Sequence, residues 1–129
     1  MRLKQELLSE RWKKMSDEIV IGKDEYLIRE GEMSTQMYYL KDGTMAVYKV
    51  KGDQEKEIGH IYSGELVGEM SFLDKSPRCA SVKALSECRL VVIPSEKFEH
   101  TLASLPTWYR ALVNTLLDRL RRANARIKI

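Results

Sequence analysis

The chain has 129 residues, 43% of them hydrophobic and 32% charged, with a formal net charge of +3. That length suits one compact domain with a single core and is too short for two full domains, and the composition is that of a soluble globular protein. No apolar run approaches the roughly 20 residues that a membrane span needs, and the N-terminus Met1-Arg2-Leu3-Lys4-Gln5-Glu6 is acidic early and is followed by no continuous apolar stretch before a small-residue cleavage site, as a secretory leader would require. A cytoplasmic protein that contacts no membrane is therefore expected.

Leu3, Leu7, Leu8, Trp12 and Met15 recur at helical spacing, so residues 1–16 read as an amphipathic helix. From Glu18 to about Pro94 the texture changes to short β-type runs. These are 18–21, 26–28, 37–40, 45–50, 57–62, 80–84 and 89–93, punctuated by Gly22, Gly31, Asp42-Gly43, Gly52-Asp53 and Ser63-Gly64. Many short strands at this spacing predict an antiparallel sandwich or roll. Asp42-Gly43 is the strongest single hairpin signal, and a second hairpin is expected to turn at Ser86-Glu87 between 79–85 and 88–93. That second hairpin would set Cys88 opposite Leu85 and Cys79 near its far end, so both thiols are expected to stay unpaired; two cysteines make no disulfide framework.

Ser95 is placed to cap a short helix through about Leu102, and Pro106 opens a longer one to the end. In it Tyr109, Val113, Leu116, Leu120, Ala123 and Ile127 alternate steps of four and three, the repeat of a coiled-coil seam, so a homodimer through 106–127 is expected. Leu112 and Leu117 lie beside the seam, free to face the roll. From Arg110 onward Arg110, Arg119, Arg121, Arg122, Arg126 and Lys128 face only Asp118, a local net of +5 that leaves −2 for the rest. A basic tail is one mark of nucleic-acid contact. No aromatics are interleaved here, and the tail reads as the solvated faces of a terminal helix, so nucleic acid is not expected as a partner of this chain alone.

The stretch that carries chemistry runs from Gly64 to Val82. Gly64 and Gly68 let the backbone bend and approach a ligand closely. Glu69 to Leu73 read as a short helical turn whose first amides lack intrahelical acceptors and attract an anion, which a phosphate would satisfy. Arg78 arrives just after Pro77, where it could fold back on the same point and offer a fixed guanidinium to phosphate oxygens. Glu69 would repel a phosphate, and the conflict resolves if the ligand also offers hydroxyls: a sugar phosphate suits both side chains. A structural ion pair between Glu69 and Arg78 is the competing reading.

This stretch resembles the phosphate-binding cassette of cyclic-nucleotide-binding domains: Gly-Glu, a short helix, Pro-Arg, then small residues leading into a strand. The resemblance extends over Glu18 to Ile93 through Gly31, Gly43, Gly64 and Gly68, and Leu116-Leu117-Asp118-Arg119-Leu120-Arg121 resembles the dimerising helix of the bacterial catabolite-activator type. It implies an α+β fold, an antiparallel double-stranded β-roll of jelly-roll type between an N-terminal helix and C-terminal helices. Residues 1–129 would form one such domain, with the cassette at 67–82. The resemblance further implies a ligand site of Gly68, Glu69, Met70, Ser71, Arg78, Cys79 and Ala80. Glu69 and the Gly68 amide would hold the ribose 2′-hydroxyl, and Arg78 with the amides of Ser71 and Cys79 would hold the cyclic phosphate. Trp108, Tyr109 and Leu112 are candidates for a lid over the base, and Phe72 and Leu73 for coupling the cassette to the last helix.

Val67 replaces the usual aromatic before Gly-Glu, and Cys79 stands where family members often carry Ala, Ser or Thr. A hydroxyl there accompanies guanine recognition in the family, and a thiol donates weakly, so cyclic AMP is expected ahead of cyclic GMP. His60 and His100 are isolated and do not supply the ligand cluster of a metal-dependent cupin, so neither a metal nor an enzymatic activity is expected. A sensor of this kind needs an effector domain or partner protein that this chain does not contain. Two further readings are a ligand-independent dimerisation module of the same fold and the sensory half of a transcription factor.

Overall fold

A computed structural model describes residues 18–127; the helix expected over 1–16 lies outside the described residues. The chain divides after Pro94 into two compact units.

The described residues of the first unit form eight strands: β1 (Glu18–Ile21), β2 (Tyr26–Ile28), β3 (Gln36–Asp42), β4 (Thr44–Lys51), β5 (Gln54–Tyr62), β6 (Leu66–Val67), β7 (Ser81–Ala84) and β8 (Cys88–Pro94), with the short helix α1 (Glu69–Asp74) between β6 and β7. They form two antiparallel four-stranded sheets, ordered β1-β8-β3-β6 and β2-β7-β4-β5. This is the β-roll that the family resemblance implied, and one of the two antiparallel architectures that the strand spacing allowed. Alternating apolar residues from both sheets meet in one core, of which Leu40, Met45, Val67, Cys88 and Leu90 are the largest fully buried members.

Both expected hairpins are corrected. Asp42-Gly43 does not join two paired strands: β3 pairs with β6 and β8 in one sheet, whereas β4 pairs with β5 and β7 in the other. Likewise β7 and β8 lie in different sheets and are not partners, so Cys88 does not face Leu85 across a hairpin. What Asp-Gly encodes is a positive φ, and here Gly43 (φ 109°) uses it to carry the chain round a corner from sheet to sheet. The two corners pack together. The Leu85 amide donates to the Thr44 carbonyl at 2.9 Å, the Thr44 amide to Ser86 Oγ at 3.1 Å, and Cys88 Sγ reaches the Ser86 carbonyl at 3.3 Å. Cys79 and Cys88 are both free, the first exposed and the second buried. The two-residue hairpin is at Gly52-Asp53, where Lys51 pairs with Gln54 and Gly52 has φ 66°.

The second unit holds α2 (Ser95–Ser104) and α3 (Thr107–Ile127). Pro106 precedes the first turn of α3 and its carbonyl accepts from the Arg110 amide at 3.0 Å. The residues of the expected seam, Tyr109 to Ile127, therefore fall on one unbroken helix.

Gly43 has no room for a side chain: a Cβ would lie 2.6 Å from both Cys88 Sγ and the Glu87 carbonyl, whereas nothing lies within 4 Å of one at Gly52. Gly52→Ala meets only the backbone strain of its positive φ, about 1–2 kcal/mol. Gly43→Ala adds an overlap worth a further 1–3 kcal/mol, roughly. Urea denaturation of the two variants should rank them in that order.

Candidate functional site

The site begins where β6 ends. Gly68 caps α1 in the left-handed region (φ 73°, ψ 20°), and a Cβ there would sit 2.5 Å from Arg78 Nη1 and 2.8 Å from Ile28 Cδ1. Glycine is required both by the turn and by the close approach of the guanidinium. α1 closes after one and a half turns on Lys75, itself left-handed (φ 54°), and the Ser76 amide returns to the Ser71 carbonyl at 3.0 Å. The loop then brings Arg78 back beside the start of the helix. Two backbone bonds fix it there: the Arg78 amide donates to the Glu32 carbonyl at 2.7 Å and the Gly31 amide to the Arg78 carbonyl at 2.8 Å.

The Arg78 side chain is buried, 6% exposed. Its Nη1 donates to the Gly68 carbonyl at 2.7 Å and to Ser71 Oγ at 3.1 Å, and its Nη2 donates to the Gln36 carbonyl. Burial pushes the guanidinium below its usual value, while Tyr38, Glu32, Cys79 and Glu69 nearby oppose that shift. Among the described residues no ion pair joins Arg78 to Glu69, so the competing reading of a structural Glu-Arg bridge is not the arrangement found.

A cavity of about 250 Å³ opens beside this guanidinium, lined by Ile28, Val47, Ile61, Glu65, Leu66, Gly68, Glu69, Met70, Ser71, Arg78, Cys79, Ala80 and Val82. All seven residues named from the cassette stand around it. The six others were not found from sequence. Ile28, Val47, Ile61 and Val82 form an apolar wall drawn from four strands, β2, β4, β5 and β7. Of the lid candidates, Trp108 and Tyr109 belong to α3 and pack edge-on with centroids 5.4 Å apart; Leu112 is exposed one turn further along.

His60 is 2.6 Å from Glu57 Oε1 and stacks on Tyr62, in keeping with a structural role. Among the described residues no group of three or more His, Cys, Asp or Glu could hold a metal ion, and no helix is long and apolar enough to cross a membrane.

A cavity with an apolar wall on one side and a cation, a carboxylate and a hydroxyl on the other suits a small amphiphilic anion. Because Arg78 serves three protein acceptors, it has a structural role. Arg78→Ala leaves the Gly68 and Gln36 carbonyls and the Ser71 hydroxyl without their donor, and should lower stability by about 2–4 kcal/mol in ligand-free urea melts.

The cyclic nucleotide-binding domain family matches residues 18–104. Potassium/sodium hyperpolarization-activated cyclic nucleotide-gated channel 4 of Homo sapiens is 35% identical over 98 residues, which are 76% of this chain; the chain spans only 8% of that channel. The EAL enzyme Bd1971 in its half-site-occupied form superposes with a TM-score of 0.78 at 29% identity, over 84% of this chain and 98% of that one. Forms of the same enzyme described as cAMP-bound and cGMP-bound give TM-scores of 0.67 and 0.68 at 29% and 28% identity, each over 84% of this chain and 29% of theirs. The catabolite activator protein of Thermus thermophilus shares the fold, with a TM-score of 0.72 at 24% identity over 93% of this chain and 57% of its own. With the family model matching residues 18–104, the chain belongs to the cyclic nucleotide-binding domain family.

Proposed function

We propose that the cavity beside Arg78 binds one cyclic mononucleotide, cyclic AMP ahead of cyclic GMP, and that the domain is a non-enzymatic sensor. The observation that carries this reading is the convergence of Gly68, Glu69, Met70, Ser71, Arg78, Cys79 and Ala80 on one cavity with a buried cation in its wall. The guanidinium and the amides of Ser71 and Cys79 take the cyclic phosphate, and Glu69 with the Gly68 amide takes the ribose 2′-hydroxyl. Ile28, Val47, Ile61 and Val82 offer a flat base an apolar surface. The weak thiol donor of Cys79 gives guanine little advantage, which favours adenine. The relatives described as cAMP-bound, cGMP-bound and cyclic nucleotide-gated support the ligand class.

On this reading Trp108, Tyr109 and Leu112 close over the base, and Phe72 and Leu73 carry the movement of the cassette to α3, which signals to a partner or fused effector. Tyr109 and Leu116, both residues of the expected seam, expose large apolar side chains along α3, which supports a homodimer through this helix. The setting is the cytoplasm, where cyclic nucleotides are made and read.

Calorimetric titration with cyclic AMP and cyclic GMP tests the proposal. The wild-type chain should show saturable binding, tighter for cyclic AMP, weakened by ~2–5 kcal/mol in Arg78→Ala. Because that variant is also expected to be less stable, Glu69→Gln serves as a second probe, and should weaken binding without touching the acceptors of Arg78. A folded, nucleotide-free wild-type chain that binds neither ligand would leave the ligand-independent dimerisation module. Sedimentation of the same sample should give a dimer; a monomer at micromolar concentration removes the α3 seam.

A further inference from the structure

Ser71 lies in α1, is only 5% exposed, and contributes to the cavity wall. Its Oγ accepts a hydrogen bond from Arg78 Nη1 at 3.1 Å. A serine hydroxyl also has one proton to donate. Among the described residues no acceptor takes that proton: the bond from Arg78 is the one interaction of Ser71 Oγ. Ser71 lines the cavity, so that proton is open to an acceptor that enters it. The adjoining guanidinium polarises the hydroxyl and strengthens it as a donor, most of all toward an oxyanion.

We infer that the Ser71 hydroxyl is a ligand contact in its own right, donating to a non-bridging oxygen of the phosphate while it accepts from Arg78. Cation and hydroxyl then grip the anion as one chain of donors, separate from the Ser71 amide. The inference rests on the cyclic-mononucleotide reading and adds to it a side-chain donor.

The test uses cyclic AMP and its two phosphorothioate diastereomers, in each of which sulfur, a poor acceptor, replaces one non-bridging oxygen. All three are titrated against the wild-type chain and Ser71→Ala. Loss of the hydroxyl should weaken cyclic AMP by about tenfold or more. It should weaken one diastereomer by a similar factor and leave the other, whose sulfur already faces Ser71, nearly unchanged. An equal loss for all three ligands would reduce Ser71 to a packing or Arg78-supporting residue and overturn the inference, as would no loss at all. If the wild-type chain binds none of the three, the parent reading fails and takes this one with it. If the wild-type chain binds and the variant shows no ligand-dependent difference, the parent reading stands alone. Should Ser71→Ala melt well below wild type, Ser71→Cys, similar in shape with a weaker donor, takes its place with the same expectations.

Discussion

A guanidinium taken out of water needs acceptors, and Arg78 draws its three from separate parts of the roll. The Gly68 carbonyl belongs to the turn after β6, Ser71 Oγ to α1, and the Gln36 carbonyl to the start of β3. All three are neutral. They hold the side chain in one orientation and offset part of its desolvation, but they do not cancel its charge, as a buried carboxylate partner would. The cavity wall is therefore a fixed positive centre with its geometry already set. An anion binding there need not pull a carboxylate away first, nor wait for a long side chain to find its place.

The same bonds tie the neighbouring segments together. Through the Arg78 backbone the loop at Gly31 and Glu32 is fastened to the segment after α1, and through its side chain that loop's far end at Gln36 is fastened to both ends of the Gly68 turn. A ligand that engages the guanidinium competes with these acceptors directly. One side chain thus belongs both to the cassette and to the start of β3.

How much of this could be read from residues alone followed from how local each feature is. The cassette was legible because Gly68, Glu69, Ser71 and Arg78 fall within one short stretch and its two special requirements, a backbone without Cβ and a fixed cation, select particular residue types. The strands of β1, β2, β4 and β8 were legible, to within a residue or so, as short β-type runs between turn residues. β6 was not, since Leu66-Val67 is too short to show a period. The partner of each strand was the weakest reading: Asp42-Gly43 and Ser86-Glu87 look like hairpin turns because a corner and a hairpin need the same backbone freedom, and only pairing partners far along the chain tell them apart. The Gln36 carbonyl was invisible for a simpler reason, that every residue carries one.

The exchange of strands between sheets at Gly43 bears on how the roll comes into being. Of the paired strands among the described residues, only β4 and β5 are neighbours along the chain joined by a tight turn. β8, among the last strands of the roll, lies between β1 and β3, with Glu18 beside Val91 and Gln36 beside Pro94. Such distant pairing belongs to slow-folding topologies, because the loops must be closed before their contacts reward the closure. During synthesis the β4–β5 ribbon can form as it emerges, but β1 and β3 wait with open edges until Cys88–Pro94 has left the ribosome. The domain thus assembles late and nearly at once, and a nascent chain halted before that strand would hold the residues of the cassette without the architecture that makes them a site.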